Sequence, residues 1–428
     1  MKKDAFALVF ADDKGKVYDF PGLEATGMKA GRFFELNAAT LVPLPESSEL
    51  FLLPGRLPVG RDPETGAFRT LEGDPYSAGS PCSAVAAFIP PGWTLAHSAA
   101  FAEVPGAKAL PLFAYGAVAF RDGRFWVSAV RVDEDARHDE RLIDPSAVAS
   151  GIAGLRALFP KNRLVPHLEN CATVNACANA KNFFLGRFEA PVPTSPVCNA
   201  QCQGCISLQP DGRDFPATQK RISFVPDPEE IAELALFHID RESAPIVSFG
   251  QGCEGEPTLA ADTIEKAIRL IRRRTSKGAI NVNTNASRPE ALARLFDAGL
   301  TNVRVSLNSV REPYYSRYYQ PRGYDVTRVA ESVRVAKRAG GFVSLNYLSM
   351  PGFTDSKPEH EAFRRFVGEN GVDMVQWRNL NYDPVRYFRE LGLEGADEEL
   401  IGVPEALESL RDAFPHLRMG YFNPVKKN

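Results

Sequence analysis

The chain has 428 residues, 44% hydrophobic and 24% charged, enough for more than one packed core, so two domains are expected. Its 50 Lys and Arg stand against 53 Asp and Glu, a net charge of -3 that leaves no broad electrostatic footprint for nucleic acid. No apolar stretch reaches the roughly 18 residues needed to cross a bilayer. The apolar run within residues 1–13 is too short for a secretory signal, so a cytoplasmic protein without membrane contact is expected.

Residues 1 to about 135 read as short strands joined by turns. Asp13-Lys14-Gly15, Gly73-Asp74-Pro75 and Asp122-Gly123 supply turn chemistry, and Phe125–Val130 reads as a strand after a hairpin. Pro54 and Pro58 break any long helix there. A helix is predicted from Pro145 to Phe159, with Val148, Ile152, Leu155 and Leu158 on one face.

From about residue 190 strands and helices alternate. Strands are predicted at Ile246–Phe249, Ala279–Asn285, Asn302–Ser309, Phe342–Tyr347 and Met374–Leu380, with one more before Cys198. Helices are predicted at Pro228–Ile239, Ala260–Arg274, Arg288–Ala298, Val326–Arg338 and Pro358–Glu369. Asp227-Pro228-Glu229-Glu230 is a start signal, and Ala298-Gly299 is a stop. Repeated strand–helix–strand units favour a parallel sheet, here a barrel or partial barrel.

Each strand after the second has one polar face: Asn281, Asn283 and Asn285; Arg304, Ser306 and Asn308; Ser344 and Asn346; Gln376 and Arg378. A parallel sheet packed on both faces reads as apolar throughout. The polar faces therefore predict an interior that is wet or holds a polar ligand, an internal hydrogen-bond network being the alternative.

The seven cysteines are odd in number and partly clustered, which points to metal or catalytic thiolates and not to a disulfide framework. Cys198, Cys202 and Cys205 are spaced Cys-x3-Cys-x2-Cys on one short loop, with no fourth Cys or His nearby. Thiolates suit zinc or iron–sulfur centres, and a structural zinc would normally be closed by a fourth ligand. This loop resembles the cluster motif of the radical S-adenosylmethionine (radical SAM) superfamily. The resemblance covers about residues 190 to 380 and implies an α/β fold, a partial (β/α)6 TIM-like barrel, here preceded by a β-rich domain. It implies further that Cys198, Cys202 and Cys205 bind three irons of a [4Fe-4S] cluster, whose fourth iron chelates S-adenosylmethionine. Gly204 departs from the aromatic that the family usually has at that position.

Ser248 to Leu259 carries Gly-Cys-Glu-Gly-Glu-Pro, similar to the family's Gly-Gly-Glu-Pro motif with Glu254 in place of the first glycine. By that similarity Gly255, Glu256 and Pro257 bind the methionyl end of the cofactor. Asn283, Asn285, Ser306, Asn308 and Asn346 match, less closely, family positions that hold the carboxylate and ribose. Some family members carry an auxiliary cluster, for which Cys171 and Cys177, with Cys82 or Cys253, are candidates beside the reading of small buried thiols. No histidine is nominated as catalytic. Arg311–Tyr324, with five tyrosines, is expected as a loop that grips substrate or packs against the N-terminal domain. Arg272–Arg274 and Glu359-His360-Glu361 are expected to face solvent.

The expected division is a β-rich domain over 1–165, a cysteine-bearing connector over 166–189 and the barrel with a C-terminal extension over 190–428. The resemblance implies reductive cleavage of S-adenosylmethionine, a 5′-deoxyadenosyl radical, and an external one-electron donor such as flavodoxin or ferredoxin. A peptide or protein is one substrate class. RNA or nucleotide modification and a non-catalytic iron–sulfur or zinc protein are the alternatives.

Overall fold

The computed structural model describes residues 5–424 other than 136 and 138; residues 1–4 of the N-terminal run lie outside it. Among the described residues, 14 strands between Ala7 and Arg131 form one antiparallel network. At its centre are Ala7–Ala11, Ser83–Phe88 and Gly116–Arg121. The alanines of these central strands, Ala84, Ala86, Ala87, Ala117 and Ala119, are buried. The expected hairpin is present: Asp122 and Gly123 both have positive φ, 53° and 75°, as a primed turn between Arg121 and Arg124 requires.

The second sheet has seven parallel strands, hydrogen-bonded in chain order: Glu189–Pro191, Ile246–Phe249, Ala279–Thr284, Asn302–Leu307, Phe342–Ser349, Met374–Asn379 and Arg418–Met419. The first and last are not paired with each other among the described residues, so the barrel is open. The seventh strand has only two residues, too short for a periodicity signal.

Eleven α-helices occur among the described residues: α1 (Pro145–Leu158), α2 (Leu164–Thr173), α3 (Ala178–Phe184), α4 (Pro228–Arg241), α5 (Ala261–Arg274), α6 (Pro289–Ala298), α7 (Glu312–Tyr319), α8 (Val326–Arg338), α9 (Lys357–Asn370), α10 (Pro384–Glu390) and α11 (Val403–Ala413). Helix α4 starts where Asp227 and Glu230 form a capping box, and α6 stops at Gly299, whose φ of 117° a side chain would disfavour. The apolar stripe of α5, Ile264, Ile268 and Ile271, is fully buried, worth about 1.5–3 kcal/mol per side chain. Helices α1 to α3 belong to the same apolar cluster as the barrel helices, through Val148, Ile152, Leu168 and Phe183 against Ile231 and Leu234.

Polar contacts fasten the β-rich region to the barrel. Buried Arg56 pairs with Asp383 at 3.1 Å, and Lys29 pairs with Asp355 at 3.0 Å. Asn379 accepts from the Leu95 N–H and donates to the Trp93 carbonyl, each at 2.9 Å.

Three expectations are corrected. The tyrosine segment is not a loop: α7 spans most of it, and Tyr315, Tyr318 and Tyr319, three and four residues apart, are buried on one face. Glu359 and His360 do not face solvent. Glu359 is 0% exposed because it accepts from Ser309 Oγ, Arg311 Nε and Tyr347 OH at 2.8–2.9 Å, a satisfied buried network that the helical pattern does not announce. Arg272 is half-buried and donates to the carbonyls of Lys277, Gly278 and Gly299, whereas Arg273 and Arg274 are exposed.

Candidate active site

A cavity of about 580 Å³ lies inside the open barrel. The inward faces of the strands line it through Asn283, Asn285, Arg304, Ser306, Asn346, Gln376 and Arg378, and the cysteine loop through Cys198 and Cys202. Pro91, Arg137, Ile143, Tyr421 and Phe422 reach it from outside the barrel strands. A cavity walled by alternate strand residues is the arrangement that the polar faces predict.

The cysteine loop is held from two sides. The N–H groups of Gln201 and Gln203 donate to the Tyr319 and Tyr318 carbonyls at 3.0 and 2.9 Å, so the last carbonyls of α7 are satisfied by the loop. From the other side, Gly255 N–H donates to Ser195 O at 2.6 Å and Glu256 N–H to Val197 O at 2.8 Å. This approach needs glycine: a Cβ on Gly255 would lie 2.0 Å from the Val197 oxygen. At Gly204 a Cβ would sit 2.9 Å from Tyr318 OH and 3.3 Å from the Tyr382 ring, so aromatic rings from α7 and the 382 loop fill the space beside it.

Glu254, the departure from the family pattern, braces the same region. Its two oxygens accept four backbone N–H groups, from Thr194, Ser195, Gly250 and Gln251, at 2.7–2.9 Å. Burial pushes its pKa up to about 7, against the pull of those donors toward the charged form. Glu256 is equally committed: it accepts from Thr258 Oγ1, Thr284 Oγ1 and the N–H groups of Thr258 and Asn285. It lines the cavity with Gly255 and Pro257, but its carboxylate ties the second strand's loop to the third strand.

The remaining candidates divide in the same way. Asn283 donates to Ser248 Oγ and to the carbonyls of Phe249 and Gly250, and Asn285 donates to Asn199 on the cysteine loop. Asn308 does not line the cavity; it donates to the Tyr314 carbonyl and Tyr387 OH. Ser306 accepts a long bond from Asn346. Buried polar atoms are left without a partner at Asn346 Oδ1, Gln376 Oε1 and Arg304 Nη2, all on cavity-lining residues. Burial pulls the Arg304 pKa down to about 10.

Burial raises the Cys198 pKa to about 11, the Glu256 charge adding to it, and burial with the charges of Cys205 and Cys198 raises that of Cys202. Arg221, donating at 3.5 Å to Cys205 Sγ, is a neighbour that no spacing rule would select. Of the other cysteines, Cys82 is buried in the β-rich region and donates to the Leu71 carbonyl, remote from this site. Cys171, Cys177 and Cys253 all line the cavity. His167 contacts two of them and escapes motif reading; the signal for it is its i, i+4 spacing from Cys171 on one helix.

A family model described as Radical SAM superfamily matches residues 192–363, which include all three loop cysteines and the Gly-Glu-Pro turn. The chain carries a radical SAM domain. Over 186 residues it is 28% identical to a GTP 3′,8-cyclase of Paracoccus denitrificans (strain Pd 1222), covering 42% of this chain and 50% of that one. Over 227 residues it is 24% identical to the FeMo cofactor biosynthesis protein NifB of Klebsiella pneumoniae, covering 48% and 47%. The chain thus spans about half the length of the curated relatives it matches. Among solved structures, Streptococcus suis SuiB bound to S-adenosylmethionine aligns with a TM-score of 0.38 at 12% identity, covering 64% of this chain and 66% of that one.

Radical SAM enzymes use a [4Fe-4S] cluster and S-adenosylmethionine. The residues present fit both. Three cysteines on one short loop, two of them lining the cavity, are the thiolate donors that an iron–sulfur cluster takes. All three thiols are free, and the loop opens on a cavity whose wall carries unpartnered polar atoms.

Proposed function

We propose that the protein is a radical SAM enzyme that cleaves S-adenosylmethionine reductively and abstracts a hydrogen atom from a small anionic substrate. The observation that carries this reading is the three-cysteine loop, without a fourth protein ligand on it, opening on a cavity whose wall carries the polar side chains of the barrel strands. Cys198, Cys202 and Cys205 would hold three irons. When bound, the cluster would supply the electron for reductive cleavage of S-adenosylmethionine, drawn from an external one-electron donor such as flavodoxin or ferredoxin.

The chain's own residues orient and shield. Gly255 lets the turn backbone lie against the cysteine loop, while Glu254, Glu256, Asn283 and Asn285 fix the loops that frame the cofactor. Deeper in, Arg304 has an unpartnered Nη2, and Arg378 lines the same wall. Two guanidinium groups beside the Asn346 and Gln376 amide oxygens suit a carboxylate or phosphate that also carries hydrogen-bond donors. The 1–165 region is part of this reading as a substrate-side cover, since Pro91, Arg137 and Ile143 reach the cavity. So is a cytoplasmic setting, where seven free thiols persist. No helix among the described residues is long and apolar enough to cross a membrane.

The test is to reduce anaerobically reconstituted protein with dithionite in the presence of S-adenosylmethionine and to quantify 5′-deoxyadenosine. Formation by the wild type and its loss in Cys202→Ala support the reading. Equal yields from wild type, variant and a protein-free blank would sink it.

A further inference from the structure

A second set of metal-ligating side chains stands in the cavity wall, apart from the cysteine loop. His167 and Cys171 are one turn apart on α2, so they share a face, and Cys253 is on the loop after the second barrel strand. His167 Nε2 lies 3.3 Å from Cys253 Sγ and 3.8 Å from Cys171 Sγ, and the three atoms all lie within 4.8 Å of one another. No other three or more His, Cys, Asp or Glu side chains converge in this way among the described residues. Cys171 and Cys253 are 2% and 6% exposed, and both line the cavity.

The geometry fits coordination. With metal–sulfur bonds of about 2.3 Å and metal–nitrogen bonds of about 2.0 Å, tetrahedral ligand atoms stand roughly 3.5–3.8 Å apart. The observed separations bracket that range. Two small buried thiols packed only as apolar filler have no need of a ring nitrogen directed at both sulfurs.

We propose that His167 Nε2, Cys171 Sγ and Cys253 Sγ hold a second metal centre, independent of the three-cysteine loop. Imidazole with two thiolates selects borderline and soft cations, which makes zinc or iron the metal class. Cys177 lines the same cavity but lies outside this tight set, so the site has three close protein ligands. Three-ligand sites keep a coordination position for a water or a substrate atom, as catalytic metal sites do. Cys253 and Gly255 share a loop, which sets this centre beside the cofactor turn and within the substrate cavity. None of this depends on cleavage of S-adenosylmethionine.

The experiment uses the full chain with Cys198, Cys202 and Cys205 all replaced by Ala, purified anaerobically, exposed to Zn(II) or Fe(II) and desalted. The expected result is about one metal ion retained per chain, lost when His167→Gln and Cys171→Ser are added. Acid-labile sulfide separates the two forms of the site: its absence means a single ion, and its presence with iron means that the same residues hold an iron–sulfur cluster. Either form supports the site. A loop-cysteine variant that keeps no metal, or metal that persists after His167→Gln and Cys171→Ser, would overturn it. Cobalt(II) added to the same variant gives a second reading independent of yield. Thiolate-to-cobalt charge-transfer absorption is expected and should vanish with His167→Gln. Should the triple variant not fold, His167→Gln alone in the wild-type chain should lower metal content by about one ion for a mononuclear site, or by more for a cluster, and unchanged content would overturn the proposal.

Discussion

Replacing Gly255 by Ala probes the contact that seats the Gly-Glu-Pro turn against the cysteine loop. The added Cβ would lie 2.0 Å from Val197 O, 2.5 Å from Val197 C and 3.2 Å from Cys198 N. These are backbone atoms, so no side-chain rotation relieves the overlap, and the two segments must separate by more than about 1 Å. Separation breaks the Gly255–Ser195 and Glu256–Val197 hydrogen bonds, about 1 kcal/mol each. Overpacking adds about 1–3 kcal/mol, giving a total loss of about 3–5 kcal/mol, with Cys198 next to the displaced carbonyl. Urea unfolding of the apoprotein measures the loss, and iron content after reconstitution should fall with it. Gly154→Ala is the control: its Cβ meets nothing within 4 Å, on an exposed face of α1, so it should stabilise by about 0.5–1 kcal/mol. A Gly255→Ala protein within about 1 kcal/mol of wild type and with full iron content would refute the reasoning.

Buried His97, whose Nδ1 is 2.8 Å from Ser128 Oγ, has its pKa pulled down to about 3 by burial, with the Lys29 charge adding to the shift. The fold therefore prefers it neutral, and its contribution is complete above about pH 6.5 and lost as pH falls toward 3. At about 1.4 kcal/mol per unit, less the half-titration already present at pH 6.5, wild type should lose about 2 kcal/mol between pH 6.5 and 4.5 that His97→Gln does not lose; equal losses by the two proteins in urea melts contradict this. Glu359→Ala leaves Arg311, Ser309 and Tyr347 without their buried acceptor and should cost about 3–5 kcal/mol in the same assay. A loss under about 1 kcal/mol would show that the network contributes little. Cys205→Ser should lower 5′-deoxyadenosine formation more than about 100-fold, while the apoprotein melts within a few degrees of wild type, checked by chromatography and calorimetry.

The parallel strands were legible because each carries apolar residues on one face and polar ones on the other, and because Gly299 and the Asp227–Glu230 box punctuate the helices. The spacing of Cys198, Cys202 and Cys205 singled out a loop that the structure sets against the cavity. What escaped depends on contacts distant in sequence. Glu359 looks like a surface residue until Ser309, Arg311 and Tyr347 converge on it from other elements. The tyrosines of α7 suggest a sticky loop because Pro313 and Gly323 bracket them, yet their rings pack on one another, Tyr315 and Tyr319 at 4.8 Å. The hydrogen bonds of the Glu256 carboxylate to Thr258, Thr284 and Asn285 likewise join residues on separate elements. His167 has meaning only once folding brings Cys253 to it across 86 residues.

Electron paramagnetic resonance of the reduced, reconstituted protein, recorded with and without S-adenosylmethionine, decides whether the loop holds a cluster with one iron that lacks a protein thiolate. A [4Fe-4S]+ signal whose g-values shift on adding S-adenosylmethionine, and which disappears in Cys198→Ala, is the expected result. A signal indifferent to saturating S-adenosylmethionine, or one that survives loss of Cys198, would contradict it.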